Sequence, residues 1–133
     1  MQVSNSEKCL MDILWKDATA KKPISARRII DRLGNKAEWH DKTIKTLLNR
    51  LLKKRAIGFH RNGREYLYFP ILAEQDYVEG AVDNFLQRVF NGSVSSLVAS
   101  FAKQEKLTNN DLTELKALIA DLEKKDLKEK DND

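Results

Sequence analysis

A mainly α-helical fold with one small β-hairpin is predicted by three observations. Apolar residues recur at helical spacing through most of the chain. The pair Asn62-Gly63 sits between two aromatic-rich runs in "AIGFHRNGREYLYFP", the pattern of a tight hairpin turn. Three helical stretches precede that hairpin and three follow it. Helix, helix, helix, hairpin is the order of a winged helix-turn-helix, with the second and third helices as the motif and the hairpin as the wing. The organisation expected is a winged-helix unit over residues 1–71, a helical dimerisation region over 72–123 and a charged, frayed tail over 124–133.

The first helix is predicted over about residues 5–17, with Leu10, Ile13, Leu14 and Trp15 as its buried stripe. Pro23 lacks a backbone donor, so the chain turns or extends after Lys21 and Lys22. A strand-like stub near Lys21–Ile24 could pair with the hairpin. Ser25 then caps a second helix, "ARRIIDRL", with Ala26, Ile29, Ile30 and Leu33 on one face and Gly34-Asn35 as its stop. A polar connection holding Trp39 leads to Asp41, the expected N-cap of the third helix, "DKTIKTLLNRLLKKR". In the hairpin, an Asn62-Gly63 loop sets Arg61 opposite Arg64, Phe59 opposite Tyr66 and Ile57 opposite Tyr68; Pro70 closes the second strand.

The fourth helix, "AEQDYVEGAVDNFLQRVF", carries apolar residues in four adjacent pairs from Tyr77-Val78 to Val89-Phe90, and Asn91-Gly92 stops it. That arc is too wide for one small domain to cover. A short helix follows with Val94, Leu97, Val98 and Phe101 inward. Thr108 and Asp111 form a capping box for a last helix bearing Leu112, Leu115, Leu118, Ile119 and Leu122. The surface of Tyr77, Val78, Ala81, Phe85, Val89, Leu97, Val98, Leu115 and Leu118 is predicted to pack against a second copy of the chain.

The third helix is two-faced. Ile44, Leu47, Leu48, Leu51 and Leu52 face a core. Lys42, Thr43, Lys45, Thr46, Asn49, Arg50, Lys53 and Lys54 do not. That polar inventory suits a DNA major groove: Arg and Asn pair with purine edges, Thr meets base edges or the thymine methyl, and Lys neutralises phosphate. Lys42, Thr43 and Thr46 should reach deepest, with Lys45 and Arg50 alongside. Arg61 and Arg64 place cations at the wing tip, and Ser25, near Arg27 and Arg28, offers a phosphate seat at a helix start. Charge is divided accordingly. Residues 1–70 hold 16 basic against 7 acidic side chains, and residues 71–133 hold 8 against 13. A basic half beside an acidic half points to a polyanion meeting the first half.

Catalysis and metal binding find no support. His40 and His60 lack ligand spacing, no Gly-rich phosphate loop occurs, and Cys9 alone can form neither an internal disulfide nor a thiolate site. Cys9 is read as a buried structural thiol. No cofactor and no enzyme activity are expected. The opening "MQVSNSEK" lacks the pattern of a signal peptide, and no apolar run reaches the roughly 20 residues of a membrane span, so a cytoplasmic protein without membrane insertion is expected.

Several stretches together, "ILWKDA", "ISARRIIDRL", "EWHDKTIKTLLNRLLKKRAI", "REYLYFP" and "NGSVSSLVASFAKQEKLTNNDLTELKALI", resemble the penicillinase repressor family, which includes the methicillin-resistance repressor. The run W-x-x-K-T-I-K-T-L-L-x-R-L is quite specific, and the C-terminal stretch adds to that. The resemblance implies a dimeric winged-helix repressor on a dyad operator before a β-lactamase or related resistance gene. It implies intertwined C-terminal helices, and release when a membrane sensor metalloprotease cuts the C-terminal region. The family's DNA-reading helix maps onto Asp41–Arg55. In the best-known members the cut falls between Asn and Phe in "V-x-N-F". Here the matching text is "VASF", so the candidate bond is Ser100–Phe101, with Ser in place of Asn. No cysteine follows Cys9, unlike the C-terminal cluster of related copper-responsive repressors. Two rivals remain: the same fold controlling genes without a β-lactam link, and a winged-helix protein-interaction module that does not bind DNA.

Overall fold

The computed structural model describes residues 1–34 and 39–131. The element order is α1 (Asn5–Asp17), β1 (Ile24–Ser25), α2 (Ala26–Leu33), α3 (Asp41–Lys53), β2 (Ile57–Asn62), β3 (Glu65–Pro70), α4 (Glu74–Phe90), α5 (Val94–Lys103) and α6 (Asn109–Asp131). The chain divides into two compact units, Met1–Gly80 and Ala81–Asp133.

The first unit is a winged helix. Ser4 caps α1 by accepting a bond from the Glu7 amide, and Ser25 caps α2 by accepting one from Arg28. Gly34 follows α2 with φ of 54°, a conformation glycine adopts without steric cost. Asn35, expected to share that stop, lies outside the described residues. The core joins Leu10, Met11 and Leu14 of α1, Ile29 of α2, Leu48 and Leu51 of α3, and Ile57 of β2. Each buried aliphatic side chain contributes about 1.5–3 kcal/mol relative to exposure. The sheet has the order β1-β3-β2, with Ile24 opposite Tyr68, so the expected stub does pair with the hairpin.

Four expectations need correction. The α1 stripe runs through residues 7, 10, 11 and 14, which turns Cys9 outward; its thiol is exposed and donates weakly to the Asn5 carbonyl at 3.5 Å. The N-cap of α3 is His40, with Asp41 as the first helical residue, where its carboxylate complements the helix dipole instead of capping. The hairpin pairs Asn62 with Glu65, Arg61 with Tyr66 and Phe59 with Tyr68, so its loop is Gly63-Arg64. Gly63 has φ of 67° and Arg64 does not have positive φ, the signature of a II′ turn with Gly first. The slip against the expected register is two residues, so every side chain keeps its face. Finally, α6 continues to Asp131 past the point where fraying was expected. Its end is rich in Lys, Glu and Asp without Gly or Pro, and nothing there breaks the helix.

Within the second unit, Ser93 caps α5 by accepting a bond from the Ser96 amide. Thr108 and Asp111 exchange two bonds of 3.0 Å each, the predicted capping box of α6. Those bonds hold the Asp111 carboxyl below its ordinary range. Asn91 and Gly92 both take positive φ after α4, and the Gly92 amide bonds back to the Leu86 carbonyl at 3.1 Å.

Candidate nucleic-acid interface

Helix α3 is held by its buried side and by its end. Ile44, Leu47, Leu48 and Leu51 are buried, while Lys42, Thr43, Lys45, Thr46, Asn49 and Arg50 are exposed. The division follows the sequence expectation except at two places: Leu52, expected in the core, is half-buried, and Lys54, expected outward, turns to α1. The helix closes on Lys54, and Arg55 follows at φ of 62° while the Ala56 amide bonds the Leu51 carbonyl at 3.0 Å. This is a Schellman stop with arginine in the place usually held by glycine.

Lys54 also reaches α1. Its Nζ lies 2.7 and 2.9 Å from the two carboxylate oxygens of Glu7, whose side chain is 3% exposed. Burial pushes the Glu7 carboxyl up; the hydrogen bonds from Lys54 and Ser4 outweigh it and hold the group below its usual range. Glu7 and Lys54 are functional supports that sequence reasoning missed. The signal was present: Glu7 stands at the spacing of Leu10, Met11 and Leu14, a carboxylate inside an apolar stripe. A second tie, Arg32 Nε to Asp17 at 2.8 Å, joins the end of α2 to the end of α1.

The exposed face of α3 is chemically ready for a base edge. Thr46 donates its hydroxyl proton to the Lys42 carbonyl at 3.0 Å, which leaves oxygen lone pairs and the methyl group facing solvent. Arg50 lies one turn further on, also exposed. Ser25 accepts from the Arg28 amide at 3.2 Å, so its hydroxyl serves as a cap and the remaining free amides of the first turn are those an anion could meet.

The wing closes the site. One cleft is lined by Ala26 and Arg27 of α2, Lys45 of α3, and Arg61, Arg64, Glu65, Tyr66 and Tyr68 of the wing. Four cationic side chains thus share a concavity with one carboxylate. The sequence placed these cations on three separate elements; the fold brings Lys45, Arg61 and Arg64 together and adds Arg27. Lys42, Thr43, Thr46 and Arg50 lie outside the cleft lining, exposed on α3.

The residues expected at a chain–chain seam are distributed less uniformly. Val78, Ala81, Phe85, Val89, Val98 and Leu118 are exposed, and Leu97 and Leu115 half-buried. Tyr77 instead packs within its own unit, 5.5 Å between ring centroids from Trp15, whose Nε1 donates to the Leu72 carbonyl at 2.8 Å. The Ser100–Phe101 bond lies inside α5, with Ser100 half-buried and Phe101 exposed. Among the described residues no His, Cys, Asp and Glu cluster could hold a metal ion, and no helix is long and apolar enough to cross a membrane.

The family model described as penicillinase repressor matches residues 3–121. The chain is 34% identical over 118 residues to the penicillinase repressor of Bacillus licheniformis, covering 89% of each protein. It is 31% identical over 118 residues to the methicillin resistance regulatory protein MecI of Staphylococcus aureus, covering 89% of this chain and 93% of that protein. Among solved structures, the DNA-binding domain of the repressor BlaI aligns with a TM-score of 0.50 at 37% identity, over 57% of this chain and 88% of that one.

Proposed function

The chain belongs to the penicillinase repressor family, and from that premise we propose that it is a sequence-specific DNA-binding transcriptional repressor of a β-lactamase or related resistance operon. Its work is binding, with no catalysis. The observation that carries this reading is the joint geometry of α3 and the wing. The exposed Lys, Thr, Asn and Arg side chains of α3 adjoin a cleft holding Arg27, Lys45, Arg61 and Arg64. A major groove takes the helix, with Lys42, Thr43, Thr46 and Arg50 toward base edges. The flanking phosphates take Lys45, the wing arginines and the first turn of α2 after Ser25.

The repressor acts as a homodimer on a dyad operator. The apolar faces of α4, α5 and α6, from Val78 to Leu118, supply the seam, and two linked half-site contacts raise affinity by effective concentration. Proteolysis at Ser100–Phe101 by a membrane sensor metalloprotease would detach α6 and release the operator without touching the reading helix. The protein works in the cytoplasm, where its operator is.

A mobility shift titrated with salt tests the DNA reading. Phosphate neutralisation makes log affinity fall with log salt at a slope of about −0.9 per phosphate contacted, so a dimer should show a slope steeper than about −4. Arg50→Ala should weaken operator binding by about tenfold if it pairs with a base. A flat salt response would refute the reading; an Arg50→Ala variant that binds like the parent would remove Arg50 from the contact.

A further inference from the structure

The wing carries two aromatic rings beyond the core. Ile57 and the ring of Tyr68 begin one face of the ribbon as buried residues. Further out, the same face carries Phe59, Arg61 and Tyr66. Phe59 is 41% exposed and Tyr66 37%. Their rings stack with centroids 4.4 Å apart and planes 27° from parallel. Arg61 is the cross-strand neighbour of Tyr66, and its guanidinium carbon lies 5.4 Å from the Tyr66 ring centroid.

Arg61 shares its cleft with Arg27, Lys45 and Arg64, and forms no ion pair among the described residues. Repulsion from three cations would send a free arginine out to solvent. The negative face of a ring attracts it instead. An arginine held over a ring also loses less rotamer freedom when it docks. Resting on the DNA-binding reading above, we propose that Tyr66, backed by Phe59, is a positioning residue. Its ring holds the Arg61 guanidinium over the cleft, ready for a backbone phosphate of the duplex.

The probe is a duplex selected from a random pool by the full-length parent chain. Arg61→Ala should weaken binding and flatten the salt slope by about one unit per wing, roughly two for the dimer, because each wing loses a phosphate contact. Tyr66→Leu keeps an apolar strand residue but no ring face. It should weaken binding by about three- to fivefold per wing with the slope unchanged, since the cation still docks but from a looser start. Tyr66→Phe should bind within twofold of the parent. Arg61→Lys, which leaves Tyr66 intact and keeps a cation that the ring face also attracts, should weaken binding less than Tyr66→Leu, with the slope kept. In an Arg61→Ala background, Tyr66→Leu should add nothing. Tyr66→Leu binding within twofold of the parent, or a double variant in which both losses multiply, would overturn the positioning role while leaving DNA binding in place. Recovery of no duplex, or no loss on Arg61→Ala, would overturn the DNA reading or the Arg61 contact and this role with it.

Discussion

Residues 1–80 and residues 81–133 use apolar side chains in opposite ways. In the first unit, fourteen apolar residues from Leu10 to Tyr68 are buried together. In the second, Phe85, Val89, Val98, Phe101, Leu118, Ile119 and Leu122 are all exposed, and no described residue is buried. Both halves have regular helices, with side-chain caps on α1 and α2 in the first and on α5 and α6 in the second, so local structure does not distinguish them. The difference lies in where the partner of each apolar face is found. The three helices and sheet of the first unit close on one another. The helices of the second leave their apolar faces exposed, and on the dimer reading proposed above another chain supplies the other side of that core.

The largest expected effect tests the closed half. Leu48 is fully buried, so Leu48→Ala should cost about 4 kcal/mol of stability, measured by denaturant unfolding. That loss should be independent of protein concentration, whereas the melting of α5 and α6 should rise with concentration. Concentration-independent melting throughout would erase the contrast. Next, a chain truncated after Ser100 should keep the folded first unit, sediment mainly as monomer and bind a full dyad at least ~100-fold more weakly. A truncated chain that still dimerises would place the seam in α4 and the remaining part of α5, without α6. Phe85→Asp should also separate the chains, by stranding a carboxylate in an apolar seam.

A smaller effect sharpens how the closed half is tied. Lys54→Met leaves the buried Glu7 carboxylate without its partner and should cost about 2 kcal/mol at neutral pH. The acid side follows from linkage. The Glu7 carboxyl sits lower in the folded chain than its ordinary 4.5, so its contribution is fully present above that value and is lost as pH falls through the folded one. The parent and Glu7→Gln should therefore converge in stability as pH drops below that value; parallel curves would exclude the pair. Smallest of all, Arg55→Gly should stabilise the first unit by about 0.5 kcal/mol, because glycine accepts the left-handed turn without strain. A loss of stability would mean the Arg55 side chain contributes more than its backbone costs.

The closed half was legible because its signals are local. Helix bounds, the Ser25 cap and the apolar face of α3 all depend on spacing within one element. Misreadings arose where two local signals competed. Asn-Gly suits a I′ turn, but a Gly at the first loop position suits II′ equally, and a slip of two leaves the side-chain pattern untouched, so the pattern cannot choose. Asp41 and His40 compete for one cap position. Cys9 looked apolar by its neighbours, yet helical phase turns it away from Leu10. The pairing of Arg27 with the wing cleft, and of Lys54 with Glu7, needed the tertiary fold. The open half shows only exposed apolar faces, so its seam residues stay a proposal.

The hairpin register has one more consequence. Side-chain facing along a ribbon repeats every two residues, so the wing is a gauge marked in steps of two. Adding two residues to each strand would carry the tip about 7 Å further from the core while Ile57, Tyr68, Phe59 and Tyr66 keep their sides. Adding one to each would lengthen it half as far and turn the new tip side chains to the opposite face. The reach of the wing can thus vary in even steps without repacking anything beneath it, and odd steps would exchange which side chains its two faces present at the tip.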